Sequence, residues 1–138
     1  ELTPDNHVGY NGIGTASFML GDYATAADAW TRSLELAPTA LTYGNTGTSY
    51  FYLQQFDRAA AMYRRAVRLA PEDFELHGAL GDALYWGAKP AQARESYRRA
   101  GELAQRALRI NPADADTLAL LAHYQAGLAD EERARESA

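Results

Sequence analysis

The sequence predicts an all-α fold, a solenoid of short helix hairpins, and three observations predict it. First, residues 40–71 read as two short helices joined by a turn. Tyr43, Thr46, Gly47 and Tyr50 recur at helical spacing in the first half, and Ala59, Tyr63, Ala66 and Val67 in the second. The segment Gln54 to Asp57 breaks the pattern, and Pro71 stops the second helix. Second, the unit recurs. Gly14, Gly47 and Gly81 return at a near-constant interval, Ala26, Ala59 and Ala93 keep it, and so do Trp30, Tyr63 and Tyr97. Third, small residues at Gly47, Ala59 and Ala66 alternate with large ones at Tyr43, Tyr50 and Tyr63. That alternation lets two helices approach closely while rings fill the space beside them. One such hairpin cannot bury its apolar face alone and needs copies on either side.

The pattern runs aromatic-x2-apolar-Gly, then Ala-x3-aromatic, then Pro. Repeat one supplies Tyr10, Ile13, Gly14, Ala26, Trp30 and Pro38. Repeat two supplies Tyr43, Thr46, Gly47, Tyr50, Ala59, Tyr63 and Pro71, and repeat three His77, Leu80, Gly81, Leu84, Ala93 and Tyr97. This resembles the tetratricopeptide repeat, whose period of about 34 the glycines match. Ser17, Ser33 and His77 depart from the family's usual residues. The resemblance implies a right-handed superhelical solenoid with about three full repeats and partial repeats at both ends. It implies one domain over residues 1–138, with repeats at about 7–39, 40–73, 74–114 (its second helix extended) and 115–138 (partial). It also implies a non-catalytic scaffold or adaptor whose first helices line a concave groove. The Arg/Ala-rich style further resembles the repeat regions of larger bacterial regulatory proteins.

Taken in order, Glu1 to Pro4 resembles the end of an earlier second helix. The first full helix is expected from about Asn6 to Leu20. Gly21 and Asp22 make a turn, with Asp22 placed as N-cap. The next helix reaches about Ala37, because the residue before Pro38 is pushed out of helical geometry. The step from Pro38 to Gly47 is one position shorter than that from Pro71 to Gly81, so the next helix starts early or is slightly rotated. In repeat three, the step from Gly81 to Pro112 is seven positions longer than from Gly14 to Pro38 or Gly47 to Pro71. Seven positions are almost two helical turns, which keeps the apolar face in phase. A continuous helix from about Pro90 to Ile110 is therefore expected, Pro90 fitting its first turn and Gly101 being its weak point. Asp114 and Asp116 open the next helix, where Ala122 replaces the repeat glycine. Ala129 to Ala138 is expected to begin a short eighth helix.

The net charge is −5 and there is no cysteine. A negative chain is not drawn to nucleic acid or to an anionic membrane. Disulfides, thiolate metal sites and cysteine nucleophiles are excluded, while the compartment, cytoplasmic or periplasmic, stays open. No apolar run approaches the roughly 20 residues that span a bilayer. No HExxH, GxxxxGK[ST] or GxSxG motif occurs. His7, His77 and His123 are far apart, and His77 stands where the repeat places a packing aromatic. Gly9, Gly12 and Gly14 follow no strand, so they are not a phosphate cradle. No catalytic, metal or cofactor residues are assigned. The arginines Arg58, Arg64, Arg65, Arg68, Arg94, Arg98, Arg99, Arg106 and Arg109 lie on second helices and read as a solvated face, with Glu95 and Glu102 at pairing distance.

The first helices carry the stronger signal. On the face opposite the packing residues lie Asn11, Thr15, Phe18 and Met19, then Leu41, Asn45, Thr48, Phe51 and Tyr52. Glu75, Asp82, Tyr85 and Trp86 follow, and then His123. The expected partner-binding set is Asn11, Thr15, Asn45, Thr48, Phe51, Tyr52, Asp82, Tyr85 and Trp86, taking a protein or peptide. An alternative buries Phe18, Phe51 and Tyr85 between neighbouring helices. Some family members hold a chaperone's C-terminal carboxylate with lysines, arginine and asparagines. At the matching positions stand Asn11, Thr15, Asn45, Glu75 and Ala79, of which only Asn45 agrees. Glu75 would repel a carboxylate. The set instead favours a ligand with apolar side chains and at least one Lys or Arg. The rival function is structural, with the repeats packing on a catalytic, DNA-binding or transmembrane domain of the same larger protein.

Overall fold

The computed structural model describes residues 6–137, the side chain of Glu131 apart. Among the described residues there are seven helices and no strand: α1 (His7–Met19), α2 (Tyr23–Leu36), α3 (Ala40–Tyr52), α4 (Phe56–Leu69), α5 (Phe74–Trp86), α6 (Pro90–Ile110) and α7 (Ala115–Glu136). They fall into two compact units, α1–α4 up to Pro71 and α5–α7 from Glu72. The expected helix end at residues 1–4 lies outside the described residues.

The helix starts follow from short polar side chains. Asn6, Asp22, Thr39, Asp73 and Asp114 each accept from backbone N–H groups of the following turn. Gly14, Gly47 and Gly81 each stand at the eighth position of their helix. The position missing after Pro38 therefore comes from the linker, and α3 starts one place sooner after its proline than α5 does. The turns inside the hairpins also repeat. Gly21, Gln54 and Ala88 all adopt a left-handed φ, of 80°, 59° and 58°. In each, the following N–H reaches back into the helix: Asp22 to the Ser17 carbonyl, Gln55 to Tyr50 and Lys89 to Leu84, all at 2.9 Å. That closes the helix with a Schellman-type cap. Only the first copy uses glycine, so the other two hold a strained conformation.

In the first unit, α1 and α2 close over Trp30, and α3 and α4 over Tyr63. A Cβ on Gly14 would stand 2.5 Å from Trp30 Nε1, and one on Gly47 2.9 Å from Tyr63 Cε1. Each glycine is thus the floor on which a buried ring lies. Alanines on the second helices let the facing backbones meet, with Ala26, Ala59 and Ala66 fully buried. Within the first hairpin Ser33 Oγ donates to the His7 carbonyl (3.1 Å), and Thr42 Oγ1 ties the second hairpin to the first by donating to Asn11 Oδ1 (3.3 Å).

The second unit repeats this with Gly81 under Tyr97, 2.7 Å from Cδ1. α6 is continuous over 21 residues, as the in-phase insertion predicts, with Pro90 in its first turn. The added turns bury Leu103 and Ala104 within this unit, and α7 packs on α6 as well as α5. A Cβ at Gly101 would meet only Leu121, at 3.8 Å, so this glycine is not sterically required. The expected eighth helix is not formed. α7 runs unbroken from Ala115 to Glu136. Its second half, LADEERARE from Leu128 to Glu136, holds strong helix formers and neither proline nor glycine, so nothing local stops the helix. Gly127 inside α7 does not end it either. Instead a Cβ there would lie 2.7 Å from Tyr97 Cε2, so Tyr97 is held between two glycines, Gly81 and Gly127. Gly78 likewise lies directly against Tyr124, whose hydroxyl donates to the Phe74 carbonyl at 3.3 Å.

The arginine face is largely solvated. Arg98 bridges Glu95 and Glu102, both at 2.5 Å, and Glu72 receives Arg99 (3.4 Å) and Arg106 (3.6 Å). Exposed pairs of this kind add little stability.

Candidate functional site

Six of the nine expected residues line two clefts, one in each unit. In the first unit Thr15, Phe18 and Met19 project from α1 at helical spacing, and Asn45 and Thr48 from α3. With Trp30 they line a cleft of about 210 Å³. Phe18 forms its aromatic wall, packed against Tyr23 (5.2 Å), Trp30 (5.8 Å) and Tyr52 (5.7 Å). Thr15 donates to the Asn11 carbonyl and Thr48 to the Gly44 carbonyl, both at 3.0 Å. Thr48 Oγ1 also shares a hydrogen bond with the Tyr63 hydroxyl at 2.9 Å. Among the described residues Asn45 has no side-chain hydrogen bond, so its amide faces the cleft with donors and acceptor available.

Three members of the expected set lie outside this cleft. Asn11 is engaged with Thr42. Phe51 packs edge-on against Phe56 (5.3 Å) and Tyr52 (6.4 Å) and is half-buried. Tyr52 stacks on Tyr23 at 4.8 Å with planes 15° apart, yet keeps 56% of its surface exposed.

In the second unit Asp82, Tyr85 and Trp86 project from the last turns of α5. They line a cleft of about 260 Å³ with Tyr97 of α6 and with His123, Ala126, Gly127 and Asp130 of α7. Asp82 Oδ1 accepts from the Tyr97 hydroxyl at 2.7 Å and lies 2.7 Å from His123 Nε2. An ionised carboxylate only accepts, so Nε2 carries the proton that His123 donates. Tyr97 meets the His123 ring edge-on at 5.9 Å. Tyr85 and Trp86 stand perpendicular, at 87° with centroids 5.7 Å apart, and are 40% and 63% exposed. Behind them Tyr124 is buried. Its burial, with Glu75, Asp82 and Asp73 nearby, pushes its phenol well above the usual range.

Tyr97, His123, Ala126, Gly127 and Asp130 lie outside the expected set, and the sequence does carry a signal for the first. Thr15, Thr48, Asp82 and His123 are equivalent positions in successive repeats, the last step carrying the seven-position insertion. Each of the first three stands at the same offset before its repeat's ring, Trp30, Tyr63 or Tyr97. Where that ring is a tyrosine, its hydroxyl meets the residue after the glycine. No group of three or more His, Cys, Asp or Glu residues that could hold a metal occurs among the described residues. No described helix is long and apolar enough to cross a membrane.

Residues 47–85 match the sequence model of the TPR repeat. This is a tetratricopeptide-repeat fold. The tetratricopeptide comparison extends over nearly the whole chain at the level of structure. The type III secretion translocator chaperone SycD of Yersinia enterocolitica aligns over 99% of this chain and 90% of its own, with TM-score 0.82 and 14% identity. SycD in complex with a peptide of the translocator YopD aligns over 92% of each chain, with TM-score 0.79 and 13% identity. The second TPR domain of human RPAP3, in complex with the HSP70 peptide SGPTIEEVD, aligns over 89% of this chain and 98% of its own, with TM-score 0.70 and 18% identity. No match is found among curated protein sequences.

Proposed function

We propose that this chain is a non-catalytic interaction module that binds a peptide or an extended protein segment through the clefts beside its first helices. One observation carries the reading. After each repeat's ring has been buried, large aromatics remain partly exposed on first helices beside a cleft: Tyr52 at 56%, Tyr85 at 40% and Trp86 at 63%. Exposed Trp and Tyr beside concave surface are the usual anchors of a protein partner. The first cleft, walled by Phe18, Met19 and Trp30, suits an apolar side chain, with Asn45 available to a bound peptide's backbone. Peptide complexes of similarly folded proteins, SycD and RPAP3, support the mode of use. They do not supply the ligand. The RPAP3 peptide is acidic, whereas among the described residues no Lys or Arg lines either cleft here. The net charge of −5 also sets the chain against a polyanion.

The test is selection from a random displayed peptide library on the whole chain, followed by affinity measurement of the enriched peptides. Peptides should lose about ten-fold or more in affinity to Tyr52→Ala/Trp86→Ala, roughly 1.4 kcal/mol or more. The double variant should keep the parent's helical circular dichroism. If it folds and binds every selected peptide unchanged, these aromatics are not the site.

A further inference from the structure

We infer that the cleft of the second unit is a pocket for a lysine side chain, a deepening that rests on the peptide-binding reading above. The charge of the cleft comes first. Its lining holds two carboxylates, Asp82 and Asp130, and among the described residues no lysine or arginine. Asp130 is partly matched by Arg133 at 3.7 Å, both largely exposed, whereas Asp82 meets a tyrosine and a histidine and neither lysine nor arginine, which makes it the anchor.

The state of that carboxylate then selects the cation. Two donors, the Tyr97 hydroxyl and His123 Nε2, converge on Oδ1 and fix the rotation of the group. Among the described residues nothing hydrogen-bonds Oδ2. A carboxylate with one oxygen taken twice offers a single point of contact. A guanidinium binds best with both oxygens in a fork, while an ammonium is a compact point charge. The geometry therefore favours lysine over arginine. The walls complete the pocket. Tyr85 and Trp86, with ring planes at 87° and centroids 5.7 Å apart, line the cleft together with Asp82. Aliphatic stems of lysines lie along apolar surface while the charged head stays polar, and a ring face attracts the ammonium. The volume, about 260 Å³, is below the roughly 300–1,000 Å³ of sites for drug-sized molecules, which fits one side chain and not a cofactor.

The chain holds one tryptophan in each unit, Trp30 and Trp86, and only Trp86 lines this cleft. Its indole N–H signal in a ¹H–¹⁵N spectrum is thus the reporter, and that of Trp30 the control. The probes are Nα-acetyl-lysine amide, the norleucine analogue with the same stem and no charge, and the arginine analogue. The lysine probe should shift the Trp86 signal saturably, about ten-fold more tightly than norleucine and more tightly than arginine. The Trp30 signal should not move. Asp82→Asn, which keeps an oxygen for Tyr97 but removes the charge, should erase the lysine preference.

Equal or tighter binding of norleucine or arginine, or no movement of Trp86 with lysine, overturns the proposal. These wild-type comparisons decide it even if Asp82→Asn does not fold. A folded Asp82→Asn chain that keeps the preference overturns it as well. The two readings fail separately. Selected peptides that bind without needing lysine sink the pocket and spare peptide binding. A lysine-specific shift with no peptide ever enriched does the reverse.

Discussion

The two units use the same repeat grammar and arrive at different surfaces. In each, a first-helix glycine is the floor for a second-helix ring: Gly14 under Trp30 and Gly47 under Tyr63 in one, Gly81 under Tyr97 in the other. The residue after the glycine faces the cleft in all three. In the first unit it is Thr15 and Thr48, neutral, beside Phe18, Met19 and Trp30. In the second it is Asp82, answered from the next first helix by His123 at the equivalent position. The positions that packing constrains repeat, and those it leaves open diverge. That separation lets a repeat fold vary what it binds without altering what holds it together. The second unit is also locked differently, since Tyr97 is gripped by Gly81 and Gly127 while Tyr63 lies on one glycine among those described.

The strongest way to break this comparison is to fill the glycine floors. Gly47→Leu should destabilise by roughly 1–3 kcal/mol through overpacking. Gly81→Leu should fall at the upper end, because Tyr97 is backed by Gly127 and tethered to Asp82 and has nowhere to move. Urea unfolding of both variants measures this, and a larger loss for Gly47→Leu would refute the two-sided grip.

Alkaline pH separates the units next. Tyr124 belongs to the second, and its phenol is held above its ordinary value of 10.0 mainly by burial. Above that value the unfolded chain releases the proton while the folded chain keeps it. Stability from this group is therefore complete below about pH 10 and falls as the pH rises towards the folded value, by up to about 1.4 kcal/mol per pH unit. Urea titrations from neutral pH to about pH 11 should show that slope, and Tyr124→Phe should remove its share. An unchanged slope in the variant would assign the alkaline loss elsewhere.

A smaller effect comes from transplanting one unit's solution into the other. Ser49 is fully buried, and among the described residues its hydroxyl has no hydrogen-bond partner. The equivalent residue in the next repeat is Ala83, also buried. Ser49→Ala should raise stability by about 1 kcal/mol by removing an unsatisfied hydroxyl. A loss on thermal unfolding would mean the hydroxyl is satisfied in solution. The smallest change is at the turns. Gln54 occupies the left-handed position that Gly21 fills in the first hairpin. Gln54→Gly relieves that conformation but adds unfolded-state freedom, so a net gain of only about 0.5 kcal/mol is expected in the same assay.

Much of this molecule is written in local pattern. The helix periods, the capping residues Asp22 and Asp114, the prolines and the regular return of glycine, alanine and ring suffice to place the first six helices and the glycine–ring crossings. They also make α6 continuous, because seven added positions preserve helical phase and nothing in the insertion breaks a helix. Other features depend on which backbone lies opposite. α7 continues past Ala129 because Gly127, the one residue there that could open a turn, is packed against Tyr97 inside the helix, which a count of repeat lengths cannot reveal. Gly78 and Gly127 acquire their roles from Tyr124 and Tyr97, rings on neighbouring helices. Phe51 and Tyr52 satisfy the same surface pattern, yet one is packed on Phe56 and the other stacked half-free on Tyr23, since face assignment does not specify neighbours. The candidate residues were legible singly. Their chemistry was not, because the Asp82 carboxylate becomes a directed acceptor only when a hydroxyl from α6 and an imidazole from α7 meet the same oxygen.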